Sequence, residues 1–158
     1  DALAVALLDA RGFKADDFAR SHPGGALGRK LLTHVQDVMR TGEAVPRIGA
    51  SASLSAMMRE MSAKGLGAVA IVDDGNQVHG IFTDGDLRRL VAKGVDLRRL
   101  TASQAMHPAP HTILAQALAV DAAQLMEQHR ITSVLVVDGD GVLCGALNSN
   151  DLMRAKVI

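Results

Sequence analysis

The 158-residue chain has no Trp, no Tyr and only three Phe, and its 17 Lys and Arg are balanced by 17 Asp and Glu. The balance removes the electrostatic pull that nucleic acid or an anionic membrane needs in a partner. The scarcity of rings removes the stacking platform on which single strands are held. A single cysteine, Cys144, leaves no internal disulfide and fits a reducing, cytoplasmic setting. The longest fully apolar run is Ala2–Leu8, far short of a bilayer span. The chain opens on Asp1 rather than Met and shows no signal peptide, which points to a fragment of something longer. Phosphate-loop, nucleophile-elbow and His-Glu-x-x-His patterns are all missing. With 48% apolar and 22% charged residues, what is left is a globular chain of one domain or two small modules.

What is present is a repeat. A shift of 65 places Lys64–Asp73 on His129–Asp138 and Gly80–Arg89 on Gly145–Arg154. Ile48, Ala50, Ala52, Met61, Val69, Val72, Asp73, Gly80, Asp86, Leu87 and Arg89 all recur at that distance. Val38-Met39 aligns with Ala105-Met106 at a shift of 67, so the second copy is slightly shorter near its start. Internal duplication governs the fold and is read before anything else.

Each copy predicts helix–strand–strand–helix. Leu54, Met57, Met58 and Met61 recur at helical spacing behind Ser53, a good N-cap, and Leu118, Ala122, Leu125 and Met126 repeat the face. Ala68–Val72 and Val134–Val137 are short apolar strands ended by Asp73-Asp-Gly75 and Asp138-Gly-Asp-Gly141, which signal hairpins. Val78–Phe82 and Val142–Leu147 follow as strands, and acidic residues open the last helices. One such half-sheet has an uncovered face, so two copies packed together form an α+β pair with pseudo-two-fold symmetry. The boundaries expected are 34–97 for the first copy and 98–158 for the second. Residues 1–33 stand outside the repeat: Ala2–Ala10 is a helix pattern, and Pro23-Gly24-Gly25 forms a sharp loop.

Chemistry concentrates at Gly80-Ile-Phe-Thr-Asp-Gly-Asp86. A strand runs into a helix there, so Thr83 and the first amides could take a phosphate and Asp86 both hydroxyls of a ribose. The plainer alternative is that Thr83 and Asp84 cap the helix and Gly80 relieves the strand. Arg88 and Arg89 could clamp a phosphate or carboxylate, or simply be solvated. Arg98-Arg99 reads as a solvated face, His107 and His111 as loop histidines kept apart by two prolines, and Cys144 as an inert strand residue. His22, in its Pro-Gly-Gly loop, has a side chain suited to proton transfer or is a surface histidine.

Two tandem units carrying Gly80-x-x-Thr83-x-x-Asp86 resemble a cystathionine-β-synthase (CBS) domain pair, the Bateman module. The resemblance implies a nucleotide in the cleft between the copies, held by Gly80, Thr83, Asp86, Arg88 and Arg89. The second copy has Asn148 where a hydroxyl belongs and keeps Asp151, which implies a weaker second site. Ser21-His-Pro-Gly-Gly-Ala-Leu-Gly-Arg-Lys-Leu-Leu32, taken with Gly80–Arg89, resembles the C-terminal half of the bacterial arabinose 5-phosphate isomerases of the sugar-isomerase (SIS) plus CBS type. These interconvert D-ribulose 5-phosphate and D-arabinose 5-phosphate for Kdo and lipopolysaccharide or capsule synthesis. On that resemblance residues 1–33 are the tail of an SIS domain, and His22 is a catalytic residue of the longer protein. The CBS pair senses CMP-Kdo, AMP or ATP, with no required cofactor and no metal. The 158 residues alone are expected to be inactive and dimeric, and the longer protein tetrameric. The alternative is an oligomerisation platform without ligand.

Overall fold

The computed structural model describes residues 25–158. Helix α1 (Ala26–Leu32) and the short α2 (Val35–Val38) lead into the first copy: β1 (Arg47–Gly49), α3 (Leu54–Lys64), β2 (Ala68–Val72), β3 (Val78–Thr83) and α4 (Asp84–Ala92). The short α5 (Ala102–Ala105) and β4 (His107–Pro108) lead into the second: β5 (Thr112–Leu114), α6 (Ala119–His129), β6 (Ser133–Val137), β7 (Leu143–Asn148) and α7 (Ser149–Arg154). Each copy is therefore strand–helix–strand–strand–helix, one strand more than the periodicity predicts. β1 and β5 are three residues long, too short for an alternation to show in the sequence.

Local chemistry explains the boundaries. The Ser53 hydroxyl accepts from the Ala56 amide and starts α3, which Gly65 ends in the left-handed conformation at φ 65°. The hairpin turns are the same motif used twice. Asp73 Oδ1 accepts from the amides of Gly75 and Gln77, and Asp138 Oδ1 from those of Asp140 and Val142. His79 Nε2 lies 2.8 Å from Asp73 Oδ2, and that bond holds the Asp73 carboxyl below its ordinary value.

The sheets order as β1-β2-β3-β4 and β5-β6-β7. β1 runs parallel to β2 and β5 to β6, while the hairpin pairs are antiparallel. Each central strand is buried on both faces, and its alternation divides it between two cores. Val69, Ile71 and Phe82 pack on Leu54, Met57 and Met61 of α3. Val134, Val136 and Leu147 pack on Ala119, Ala122 and Met126 of α6. Ala68, Ala70, Val72 and Ile81 point the other way and meet Leu135, Leu143 and Ala146 of the second copy. The two hairpins meet on the pseudo-two-fold axis: the Val78 amide donates to Gly141 O at 3.2 Å and the Leu143 amide to Asn76 O at 2.9 Å. Those donors are 65 residues apart, and so are the acceptors.

The lead-in segments are exchanged. β4, near the start of the second copy, pairs with β3 of the first, and Arg40, near the start of the first, bridges to Ala146 of the second. The exchange requires glycine at two places. A Cβ at Gly80 would sit 2.8 Å from Met106 Cγ and 3.0 Å from the His107 carbonyl oxygen; one at Gly145 would meet Met39 Sδ at 2.5 Å and Arg40 O at 2.9 Å. Among the described residues no helix is long and apolar enough to cross a membrane.

The helix positions Met57, Met58, Met61, Leu125 and Met126 leave less apolar face for a second copy than their spacing suggests, because Met57, Met61 and Met126 pack into their own cores. Of the α3 methionines only Met58 faces solvent, at 40% exposed.

Candidate functional site

Thr83 ends β3, where it pairs with Ala68 beside the copy-to-copy core, and caps α4. Its hydroxyl accepts from the Asp86 amide at 3.2 Å. Asp86 Oδ2 in turn accepts from the Thr83 amide at 2.9 Å and the Thr83 hydroxyl at 3.0 Å. This is a reciprocal capping box. Arg89, one turn on, donates to Asp86 Oδ1 at 2.6 Å, yet its side chain is 66% exposed and can swing away. Arg88 is exposed beside it, and Asp84, also exposed, uses its amide on Gly67 O. The segment thus joins a hydroxyl, a half-buried carboxylate and two exposed guanidinium groups at the start of a nine-residue helix, a set that suits a ribose phosphate. Gly80 lies three residues before Thr83 in β3, and the space above it is filled by Met106, so its place in the structure is a packing one.

The second copy is built alike and finished differently. Asn148 caps α7, its Oδ1 accepting from the Asp151 amide at 2.9 Å, while Asp151 Oδ2 accepts from the Asn148 amide at 3.0 Å. The Asn148 side-chain amide donates across to Leu66 O of the first copy. Arg154 stands where Arg89 stands and donates to Asp151 Oδ1 at 3.1 Å. Arg40 then adds two bonds with no counterpart in the first copy: Nε to Asp151 Oδ2 at 3.1 Å and Nη2 to Oδ1 at 3.2 Å. Its third nitrogen donates to Lys64 O at 2.9 Å. A groove of about 290 Å³ lined by Asp37, Val38, Asp151, Arg154 and Ala155 opens beside this pair.

The sequence reading missed Arg40. The signal was in the offset that aligns Met39 with Met106: one position on, Arg40 falls on His107, and the repeats differ there in charge. Other candidates disperse. His107 lies exposed in β4, and His111 stacks on His129 with ring centroids 3.6 Å apart. Cys144, half-buried, donates to Val136 O, and burial pushes its thiol up. Among the described residues no three His, Cys, Asp or Glu side chains cluster as a metal site. His22 lies outside the described residues, as do Ala2–Ala10 and the start of the Pro23-Gly24-Gly25 loop.

The CBS domain family matches twice, over residues 35–93 and 102–158. The chain belongs to the CBS-domain family. Among solved structures, the crystal structure of Hypoxic Response Protein I with two coordinated zinc ions matches at a TM-score of 0.67 and 28% identity, over 77% of this chain and 98% of that one. The structure of CBSX2 in complex with AMP matches at a TM-score of 0.67 and 22% identity, over 78% and 95% of the two chains, a likeness of fold. In sequence, the arabinose 5-phosphate isomerase KdsD of Pseudomonas aeruginosa is 50% identical over all 158 residues, and that of Escherichia coli strain K12 is 52% identical. The 158 residues cover 48% of each of those proteins, so the chain spans about half the length of the curated relatives it matches.

Proposed function

We propose that this CBS pair is the regulatory module of a D-arabinose 5-phosphate isomerase and binds a nucleotide or nucleotide-sugar at Thr83–Asp86. The 50% and 52% identity to KdsD over the full 158 residues supports the parent activity, the interconversion of ribulose 5-phosphate and arabinose 5-phosphate. On this reading residues 1–33 close an SIS domain, and His22 serves its active site; residues 34–97 and 98–158 are the two CBS copies.

The observation that carries the ligand reading is the unequal finish of two equal carboxylates. Asp86 keeps an oxygen whose only partner is an exposed arginine, within a turn of the Thr83 hydroxyl, whereas Asp151 is enclosed. Two vicinal hydroxyls of a ribose would donate to Asp86 Oδ1, and the phosphate would meet the positive end of α4 beside Thr83. Arg88 and Arg89 would turn to phosphate or to a sugar carboxylate. CMP-Kdo offers ribose, phosphate and carboxylate together and is an end product of the pathway; AMP and ATP offer the first two. Similar folds solved with AMP, or with methylthioadenosine and S-adenosylmethionine, support an adenine nucleotide as the competitor. The reciprocal Thr83–Asp86 bonds favour one second reading, in which the segment only caps α4 and the pair is an oligomerisation platform.

Thermal unfolding separates the two. A ligand confined to the native state adds about 2.7 kcal/mol of stability at a hundred times its Kd. Melting in CMP-Kdo, AMP and ATP should rise with at least one of them. A midpoint unmoved by millimolar amounts of all three would leave only the platform.

A further inference from the structure

We infer that the residue just after each exchanged methionine decides whether that copy's carboxylate can hold a ligand: Arg40 closes the second copy, and His107 leaves the first open. The inference rests on the nucleotide reading above and adds to it one ligand per chain and the residues responsible.

An ionised carboxylate has about four acceptor positions on its two oxygens. Around Asp151 all are taken: Oδ2 receives the Asn148 amide and Arg40 Nε, Oδ1 receives Arg40 Nη2 and Arg154 Nη2. The Asp151 side chain is 9% exposed and that of Arg40 19%. Arg40 takes one position on each oxygen, and with Asn148 and Arg154 in the others no acceptor is left on Asp151 for a sugar hydroxyl. It is held there from behind by its bond to Lys64 O. Room is not what is lacking, because the groove of about 290 Å³ adjoins the same carboxylate.

Around Asp86 the donors are the Thr83 amide and hydroxyl on Oδ2 and only Arg89 on Oδ1. The difference is positional. His107 pairs with Ile81 and Arg40 bridges to Ala146, and Ile81 and Ala146 are 65 apart in the duplicated strand. His107 and Arg40 therefore occupy the same place on the two sheets. An imidazole there offers a single ring N–H toward a carboxylate rather than the parallel fork of a guanidinium.

The test exchanges the two residues. AMP is titrated calorimetrically into the unaltered chain, Arg40→His and His107→Arg, with the fold of each checked by its melting curve. Arg40→Gln, which keeps part of the stem and one donor for Lys64 O, replaces Arg40→His if that variant does not fold. We expect one AMP per chain in the unaltered protein, a second event in Arg40→His, and at least tenfold weaker binding at the first site in His107→Arg. Two AMP in the unaltered chain, or one still in a folded Arg40→His, would overturn the inference and leave the nucleotide reading standing. No AMP in the unaltered chain with one in Arg40→His would overturn the open first copy and the one-ligand count, and would move the nucleotide from Thr83–Asp86 to the second copy. No AMP in any of the three would end the inference, and the nucleotide reading with it once CMP-Kdo and ATP also leave the melting midpoint unmoved.

Discussion

At the scale of single residues the two aspartates predict opposite phenotypes. Asp86→Ala removes the acceptor of two ribose hydroxyls, a loss of about 1.5–3 kcal/mol, or roughly a 10- to 150-fold weaker Kd by calorimetry. Its effect on stability should be that of a lost cap, about 1 kcal/mol. Asp151→Ala should weaken binding about threefold or less. It strips both bonds from a mostly buried Arg40, so urea unfolding should show a cost of about 1.5–3 kcal/mol. Equal effects of the two changes on binding would mean equivalent sites. The glycines carry a second expectation. Gly80→Ala drives a methyl against Met106 and the His107 carbonyl, and Gly145→Ala does the same against Met39 and Arg40. Methionine can yield and the backbone cannot, so each change should cost about 1–3 kcal/mol by denaturant unfolding, and costs near zero would show that the lead-in segments are loosely held.

At the scale of elements, what could be read in advance followed from what each element needs locally. The α3 cap at Ser53, the β2 span Ala68–Val72 and the paired Asp turns all follow from side chains acting within a few residues, and so they were visible. β1, β4 and β5 were not, because two or three residues in register with a distant strand leave no pattern of their own. Likewise the Thr83–Asp86 pair was legible as a spacing, while the Arg40–Asp151 pair, 111 residues apart, exists only because the lead-in segments are exchanged. The repeat also exposes a flaw in one copy. α3 ends on Gly65, but α6 ends 65 residues later on Arg130, held at φ 54°. A side chain in that conformation costs about 1 kcal/mol that glycine avoids. Arg130→Gly should therefore raise stability by about 0.5–1 kcal/mol in thermal or urea unfolding, and a destabilised variant would mean that the exposed Arg130 side chain contributes contacts of its own.

At the scale of the whole molecule the duplication does two jobs. It buries one face of each sheet against the other copy, and it offers two equivalent positions for a carboxylate that have since diverged. The proposed dimer no longer draws on the buried methionines; light scattering should give a mass of two chains, and a single-chain mass at high micromolar concentration would withdraw it. The claim on which the functional account turns is that a nucleotide sits at the start of α4. An amide NMR shift map of the chain titrated with AMP, and separately with CMP-Kdo, tests it most directly. The account predicts that the amides of Thr83, Asp84, Gly85 and Asp86 move furthest with at least one of them, while those from Asn148 to Asp151 stay nearly still. Largest shifts at Asn148–Asp151, or no shift anywhere with either ligand, would contradict it.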